Sequence, residues 1–189
     1  GYSPRHAKSL VNKSETFEQK LEFLANKYQE LSLYCIESLD MPEYEILCNS
    51  EIQISLGSPW IFKQKDIDKA PYLIHSHCTD LPRYRGTACP NWAILNDENE
   101  MVLSFHLMDK GLDSGDIVRK ETYKLEPDTY IGEVYDWLYQ TIPNGFVKSV
   151  QMLLSGNTVE KQNGKPLRTF PRKPEDSRII FSNNLDQVY

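Results

Sequence analysis

The 189-residue sequence has no long apolar segment, since no run approaches the roughly 20 apolar residues that a membrane-spanning helix needs. Its first thirty residues are too polar for a secretory signal peptide. Hydrophobic residues make up 40% of the chain and charged residues 25%, a globular composition that excludes a disordered tail or a collagen-like rod. These features predict a soluble cytoplasmic protein with one sizeable domain and no membrane partner.

Glycine-rich phosphate loops are also missing, because neither GxGxxG nor GxxxxGK occurs. Dinucleotide-binding and P-loop chemistry therefore have no support. The formal net charge is −6, so the chain lacks the broad basic field with which proteins bind nucleic-acid backbones. Local arginines and lysines remain available for one small phosphorylated ligand. The sequence predicts no nucleic-acid partner.

Cysteine is scarce and unpatterned, with four residues, no CxxC pair and no disulfide framework. Four reduced thiols are the expectation, as is typical of a cytoplasmic protein. Zinc-ligand types are present, but none forms a CxxC knuckle or a helical pair four residues apart; they are His75, His77, Cys78, Cys89 and His106. We therefore expect no metal.

Hydrophobic periodicity predicts helices alternating with strands. Helices are predicted at 16–31, 90–96 and 128–138, and again after a Pro-Asn-Gly break at 143–145 to about 154. Strands are predicted at 33–36, 52–56, 72–74 leading into His75, 101–108, 117–123 and 178–181. This alternation predicts an α/β fold with a mostly parallel twisted sheet flanked by helices. Ligands of such sheets gather beyond the carboxyl ends of the strands.

Two segments carry the residues best suited to chemistry. Residues 75–86 place His75 and His77 two positions apart at a predicted strand end, and residues 106–117 form a carboxylate-rich turn that contains Asp113. An imidazole facing a carboxylate can exchange protons near neutral pH. On spacing alone, the histidines could equally satisfy backbone groups at the strand end, and the aspartate could be an ordinary turn residue.

These segments resemble the folate-dependent formyltransferases. The family signature is Asn-x-His-x-Ser-x-Leu-Pro with a basic, aromatic turn and Gly, followed later by a strand ending in His-x-Met and an Asp-x-Gly turn. Residues 77–86 read His-Cys-Thr-Asp-Leu-Pro-Arg-Tyr-Arg-Gly and fit the first part, with Thr79 in place of Ser. Residues 106–108 and 113–117 fit the second part. The resemblance extends over roughly residues 50–155 and implies a Rossmann-like fold.

Two further stretches look like the sugar N-formyltransferases of this family: Trp-Ala-Ile at 92–94 and Pro-Arg-Lys-Pro-Glu-Asp-Ser at 171–177. Those enzymes transfer a formyl group from N10-formyltetrahydrofolate to the amine of a nucleotide-linked amino sugar, such as a dTDP-amino sugar, in lipopolysaccharide or glycan biosynthesis. A glycinamide ribonucleotide transformylase of similar length is the alternative, as is a degraded relative that only binds ligand. A methionyl-tRNA formyltransferase is expected to carry a further barrel domain, for which we expect no room here.

The resemblance also implies roles for individual residues. His77 is the proton-transfer and oxyanion-stabilising group, Asp113 tunes it, and His75 occupies the position of the family's Asn. The pteridine of the folate is expected against Trp60, Ile61 and Phe62 and against Leu107, Met108 and Lys110. Arg83 and Arg85 are expected to hold the phosphates of the sugar nucleotide, with Trp92 stacking on it.

The chain departs from the family in two respects. The Asn replaced by His75 normally donates a hydrogen bond to the developing oxyanion, a contact whose removal costs about 3 kcal/mol where it has been tested. The sheet is expected to lack the family's first βα unit, as in a truncated chain. The predicted organisation is a catalytic domain at 1–156 and an irregular C-terminal extension at 157–189, which often packs on a partner subunit in the sugar branch and so predicts a possible homodimer.

Overall fold

The computed structural model describes residues 19, 23, 26–28, 32, 34–58 and 60–177. The described residues form two compact units, the first ending at Leu73 and the second beginning at Ile74. In the described part, the elements are α1 (Pro42–Cys48), β1 (Ile52–Ser55), α2 (Gln64–Ile67), β2 (Tyr72–His77), α3 (Cys89–Leu95), β3 (Glu100–Leu107), β4 (Ile117–Lys124), α4 (Ile131–Leu154) and a 3-10 turn (Pro174–Ser177).

The first unit has a small apolar core beneath α1. The helix begins at Pro42, where a missing N–H costs nothing because the first turn has no intrahelical acceptor for it. It buries Tyr44 and Cys48, which form the core together with Ile36. The core therefore depends on one short helix and the segment before it.

Three predicted elements fall wholly or partly outside the described residues. Most of the helix predicted at 16–31 does so, although its described positions 19, 23, 26 and 27 are helical. The strand predicted at 33–36 begins outside them, and Cys35 makes a single β-bridge there. The strand predicted at 178–181 lies entirely outside them.

In the second unit β3 lies between β2 and β4, and β2 begins two residues before this unit does. The predicted α/β class is confirmed. Where mostly parallel strands were expected, the pairs β2–β3 and β3–β4 are antiparallel. The physical reason is clear for β3–β4, because the loop at 108–116 is shorter than the dozen or more residues of a parallel crossover.

Strand β3 is the centre of the second unit. It is paired on both edges, and all of its residues from Met101 to His106 are buried. The apolar character of both its faces was the signal that predicted a central strand. The register shifts between Phe105 and His106, as at a β-bulge, so the strand is irregular where it reaches the polar end of the sheet.

The break predicted at 143–145 is wrong, since α4 runs without interruption from Ile131 to Leu154 with Pro143 inside it. An interior proline removes a helical hydrogen bond and costs about 3 kcal/mol. Packing against the sheet offsets this cost. The ring of Phe146 lies 5.1 Å from that of Phe105, and a Cβ on Gly145 would lie 2.0 Å from the Phe105 Cζ. Gly145 therefore permits close packing of helix on strand and does not end the helix.

The described part of the C-terminal extension is irregular, as predicted, and it is tied to the second unit by isolated β-bridges. Glu160 pairs with Ile117, and Arg168 pairs with Arg85. The proposed domain boundary after residue 156 stays a prediction. All four cysteines are free thiols. Among the described helices, none combines the length and the apolar character needed to cross a membrane.

Candidate active site

Three imidazoles share one face at the end of the sheet. His75 and His77 are two residues apart in β2, so their side chains project to the same side. His75 is paired directly with His106 of β3, and directly opposite residues also share a face. The rings of His75 and His106 meet edge to face with their centroids 5.6 Å apart. The register of β2 and β3 thus creates the cluster.

Asp113 joins this cluster from the loop between β3 and β4. Its Oδ2 lies 3.6 Å from His77 Nδ1, and its Oδ1 lies 3.9 Å from His106 Nε2. One ligand-type atom from each of His75, His77 and Asp113 lies within 4.8 Å of the others. The structure therefore brings together the three residues predicted to be catalytic.

The turn after β2 fixes the orientation of His77. Tyr84 adopts a left-handed φ of 56°, and its carbonyl oxygen lies 2.8 Å from His77 Nε2. Because a carbonyl oxygen can only accept, His77 Nε2 carries a proton and donates it. The thiol of Cys89 donates to the same carbonyl at 3.2 Å and lies 3.5 Å from the Nε2 atom. Nδ1 is thus the nitrogen of His77 that faces Asp113.

The orientation of His106 is also fixed by a backbone carbonyl, in this case through Nδ1. Its Nδ1 lies 2.8 Å from the carbonyl oxygen of Leu107 and must donate to it. Nε2 then carries a lone pair in the neutral ring. This atom is buried in a side chain that is 2% exposed, and it has no hydrogen-bond partner among the residues that the structure describes. Asp113 Oδ1 lies 3.9 Å from this atom.

The two imidazoles beside Asp113 differ in charge. Burial opposes protonation of His77, but the contact with Cys89 and the charge of Asp113 prevail and raise the pKa of His77 above its ordinary value. Burial and repulsion from His75 lower the pKa of His106 to about 4, so this ring is neutral at pH 7. The site therefore contains one imidazole suited to carry a proton and one neutral imidazole whose lone pair can accept a hydrogen bond.

The C-terminal extension supports the loop that carries Asp113. The side-chain N–H of Gln162 donates to the carbonyl oxygens of Asp113 and Gly115, both at 2.8 Å. Arg85 donates to the Gln162 side-chain oxygen at 2.7 Å. The N–H of Gly86 donates to the Asp113 carboxylate at 3.0 Å. The carboxylate is therefore positioned by two separate segments of chain.

Comparison with known proteins gives a family match over the middle of the chain. Residues 64–150 match the family described as formyl transferase. The matched range contains all four cluster residues, and the resemblance inferred from the sequence is confirmed.

The curated proteins that resemble this chain include methionyl-tRNA formyltransferases. The one from Geobacter sulfurreducens is 32% identical over 117 residues, which cover 61% of this chain and 37% of that protein. The one from Clostridium botulinum is 34% identical over 174 residues, which cover 91% of this chain and 55% of that protein. The chain thus spans between about a third and about half of the length of these relatives.

A solved sugar-related structure shows the same fold. It is an N-formyltransferase from Helicobacter canadensis in complex with folinic acid and dTDP-3-aminofucose, with a TM-score of 0.68 and 20% identity. The match covers 94% of this chain and 63% of that one. At this identity the likeness establishes the fold.

The residues predicted to contact folate fall in two places. In the first unit, Trp60 and Phe62 pack against its apolar core and line a cavity of about 250 Å³, while Ile61 is 89% exposed. Both backbone groups of Leu107 have partners, since its N–H donates to Asp116 at 2.9 Å and its carbonyl accepts from His106. Leu107 and Met108 are partly buried, and Lys110 is exposed. The assignment of these six residues to folate stays a prediction.

The residues predicted to hold the acceptor have partners within the fold. Arg83 forms an ion pair with Glu98 and is 48% exposed at its side chain. Arg85 donates to Gln162, and the Trp92 indole N–H donates to the Phe170 carbonyl at 2.9 Å. Arg83 is thus the more accessible of the two arginines.

Sequence reasoning missed four residues that shape the site: Tyr84, Gly86, Cys89 and Gln162. Tyr84 and Gly86 belong to the basic, aromatic turn of the signature. Their position close to His77 in the sequence was a signal for contacts with the site, but we interpreted it only as a turn. Gln162 lies in an irregular polar segment, and nothing in its surroundings predicts a contact with a loop 47 to 49 residues away.

Proposed function

We propose that this protein transfers a formyl group from N10-formyltetrahydrofolate to the amine of a nucleotide-linked amino sugar. The convergence of His75, His77 and Asp113 within the segment that matches the formyl transferase family carries the proposal. A buried imidazole next to a carboxylate is an arrangement suited to proton transfer during acyl transfer.

In this mechanism the acceptor amine attacks the formyl carbon. A new carbon–nitrogen bond forms, and the carbonyl oxygen becomes an oxyanion in a tetrahedral intermediate. His77 in its protonated form stabilises this oxyanion through Nδ1–H, because Nε2–H is bound to the Tyr84 carbonyl and Nδ1 lies 3.6 Å from Asp113, beyond hydrogen-bond distance. Asp113 balances the positive charge of the ring. When the intermediate collapses, the bond to N10 of the folate breaks. The proton lost by the amine is delivered to N10, with His77 as the relay, so atoms and charge balance.

His75 stands where the family has Asn and serves as a second hydrogen-bond donor. Its ring is adjacent to His106 and within the same 4.8 Å cluster as His77 and Asp113. A ring N–H in this place can contact the developing oxyanion as the Asn amide does, although its donor capacity depends on its tautomer and protonation state.

The ligands of the Helicobacter canadensis protein support the choice of co-substrate and acceptor, since folinic acid is a folate and dTDP-3-aminofucose is a nucleotide-linked amino sugar. We assign the folate to Leu107, Met108 and Lys110 of the second unit, and the contacts expected with Trp60, Ile61 and Phe62 stay a prediction from the resemblance. We assign the acceptor to Arg83, Arg85 and Trp92, with Arg83 as the main phosphate contact because it is the more exposed arginine. We also propose that the protein is cytoplasmic and forms a homodimer.

Methionyl-tRNA is the second candidate acceptor. It is favoured by the relatives from Geobacter sulfurreducens and Clostridium botulinum, whose identity of 32% and 34% exceeds that of the sugar-related structure. The net charge of −6 argues against it, because binding to tRNA depends on neutralising phosphates.

The test is a mass-spectrometric assay of acceptors with N10-formyltetrahydrofolate. The panel contains 3-amino and 4-amino dTDP- and UDP-sugars, glycinamide ribonucleotide and methionyl-tRNA. We expect the mass of one formyl group to be added to a nucleotide sugar and lost in the His77→Ala variant. Formylation of methionyl-tRNA or glycinamide ribonucleotide alone would replace the proposed acceptor. A folded protein that formylates nothing would overturn the activity itself.

A further inference from the structure

The rings of His77 and His106 make the same pair of contacts. Each ring gives one N–H to a backbone carbonyl, Tyr84 for one and Leu107 for the other, both at 2.8 Å. The remaining nitrogen of each ring faces the carboxylate of Asp113, at 3.6 Å and 3.9 Å. When both rings are neutral, two ring nitrogens with lone pairs lie close to one negative charge, and either a proton on His77 or a bound cation can neutralise that charge.

This arrangement is the one that proteins use for metal-binding histidines. A ligating imidazole almost always donates its other N–H to a backbone carbonyl or a carboxylate, which fixes the tautomer and the ring orientation. Here two rings have that support independently, from the turn after β2 and from the end of β3. The buried His106 Nε2 also lacks a hydrogen-bond partner among the described residues, so its lone pair is available to a ligand.

The spacing of the donor atoms fits a small cation. Ligand atoms 2.0–2.2 Å from a tetrahedral zinc ion lie about 3.4 Å from one another. The His77–Asp113 distance of 3.6 Å is close to this value, and the donor atoms of His75, His77 and Asp113 all lie within 4.8 Å. Binding of an ion requires the partly buried side chains of His75 and Asp113 to move closer together.

We propose that His75, His77 and Asp113 bind one divalent transition-metal ion, of which Zn²⁺ is the best fit, with His106 Nε2 adjacent as a further donor. Two imidazoles and one carboxylate form a set used by zinc enzymes and by non-haem iron sites. Mg²⁺ and Ca²⁺ are disfavoured because they require oxygen ligands. His75 is the decisive residue, since an Asn in its place would leave one imidazole in β2.

The sequence did not predict this site because the donors come from two strands and a loop. A His-x-His pair on a strand directs both rings to one face, and this spacing differs from the helical pairs and cysteine knuckles that are typical of zinc sites. The metal proposal does not rest on formyl transfer. If the proposed function is correct, however, a bound ion would occupy His77 and inhibit transfer.

The proposal is tested by titrating the EDTA-treated 189-residue chain with Zn²⁺ in a calorimeter and with Co²⁺ in a spectrophotometer. We expect saturation at one ion per chain and the intense visible bands of four-coordinate Co²⁺, without a thiolate charge-transfer band. The His75→Asn variant should bind more than 100-fold more weakly, since loss of an outer-shell partner alone costs about 10–100-fold. Asp113→Asn should be weakened similarly, and Cys78→Ser should bind like the parent chain.

Circular dichroism of each variant shows whether it is folded. Absence of saturable Zn²⁺ and Co²⁺ binding to the folded parent chain would overturn the proposal, as would equal binding by folded His75→Asn. The formylation assay is carried out separately on the metal-free chain. Failure of transfer with intact metal binding would reject the proposed function only, and transfer without metal binding would reject the metal site only.

Discussion

Two neighbouring regions of the second unit differ in whether their polar side chains form hydrogen bonds or ion pairs within the fold. In the turn and helix after β2, Arg83 is paired with Glu98, Arg85 with Gln162, and the Trp92 N–H with a backbone carbonyl. Across the strand ends, the histidine–aspartate cluster directs two ring nitrogens at one carboxylate over 3.6–3.9 Å, longer than hydrogen bonds.

This difference distinguishes side chains that stabilise the fold from side chains that are available for catalysis. A polar group whose partner lies within the fold contributes to stability, and its loss costs about 0.5–1.5 kcal/mol. A buried side chain that is hydrogen-bonded at one atom, and whose other polar atom faces neighbouring polar groups without a hydrogen bond, is positioned to contact a substrate or another ligand. By this criterion the cluster is the reactive region, and the turn is mainly its scaffold, with Arg83 as the exception because of its exposure.

The largest expected effect comes from the cluster. His77→Ala should lower formyl transfer by about 10²–10⁴-fold, the usual contribution of a positioned acid–base group. Initial rates with the acceptor identified in the panel measure this loss. The neighbouring Cys78→Ser variant serves as control and should retain the parent rate. A folded His77→Ala protein with the parent rate would show that the cluster is not the reactive region.

Gly86 joins the two regions, and its replacement should be the next most damaging. Its φ is +124° and a Cβ there would lie 2.5 Å from the Thr169 carbonyl oxygen, while its N–H contacts Asp113. Gly86→Ala should therefore destabilise the protein by about 1–3 kcal/mol, through strain and clash together. At about 2–4 °C per kcal/mol for a chain of this size, differential scanning fluorimetry resolves the change.

Gly164→Ala is the matched control for that experiment. Its φ of +112° is similar, but the nearest atom to a Cβ is Pro82 Cγ at 3.8 Å, an ordinary contact. This variant should lose less stability than Gly86→Ala, because it carries the strain without the clash. Equal melting temperatures for the two variants would mean that the contact with Thr169 does not secure the turn.

The elements of the second unit were predictable because their signals are local. The strand at 101–108 was found from its apolar faces and is observed at Glu100–Leu107. The Pro-Asn-Gly break was mispredicted because Gly145 is required by the ring of Phe105, a contact distant in sequence. The same limit applies to the site: His75, His77 and Asp113 lie within recognisable motifs, whereas Gln162 contacts Asp113 only after the extension has folded back.

The smallest effects distinguish the two arginines. Arg83→Ala should raise the KM of the acceptor about tenfold, equivalent to about 1.4 kcal/mol, if its guanidinium contacts a phosphate. Its melting temperature should change little, because exposed ion pairs contribute about 0–1 kcal/mol. Arg85→Ala should do the reverse: loss of the Gln162 contact should lower stability by about 0.5–1.5 kcal/mol and leave KM nearly unchanged.

Steady-state kinetics and thermal melting of the same preparations measure both quantities. Arg119→Ala provides the control, since Arg119 forms a comparable ion pair with Glu121 on β4, away from the turn. It should alter neither KM nor the melting temperature strongly. An increase in KM for Arg85→Ala as large as that for Arg83→Ala would show that both arginines contact the acceptor. The turn would then belong to the binding site together with the cluster, because the arginines would exchange their partners within the fold for substrate during turnover.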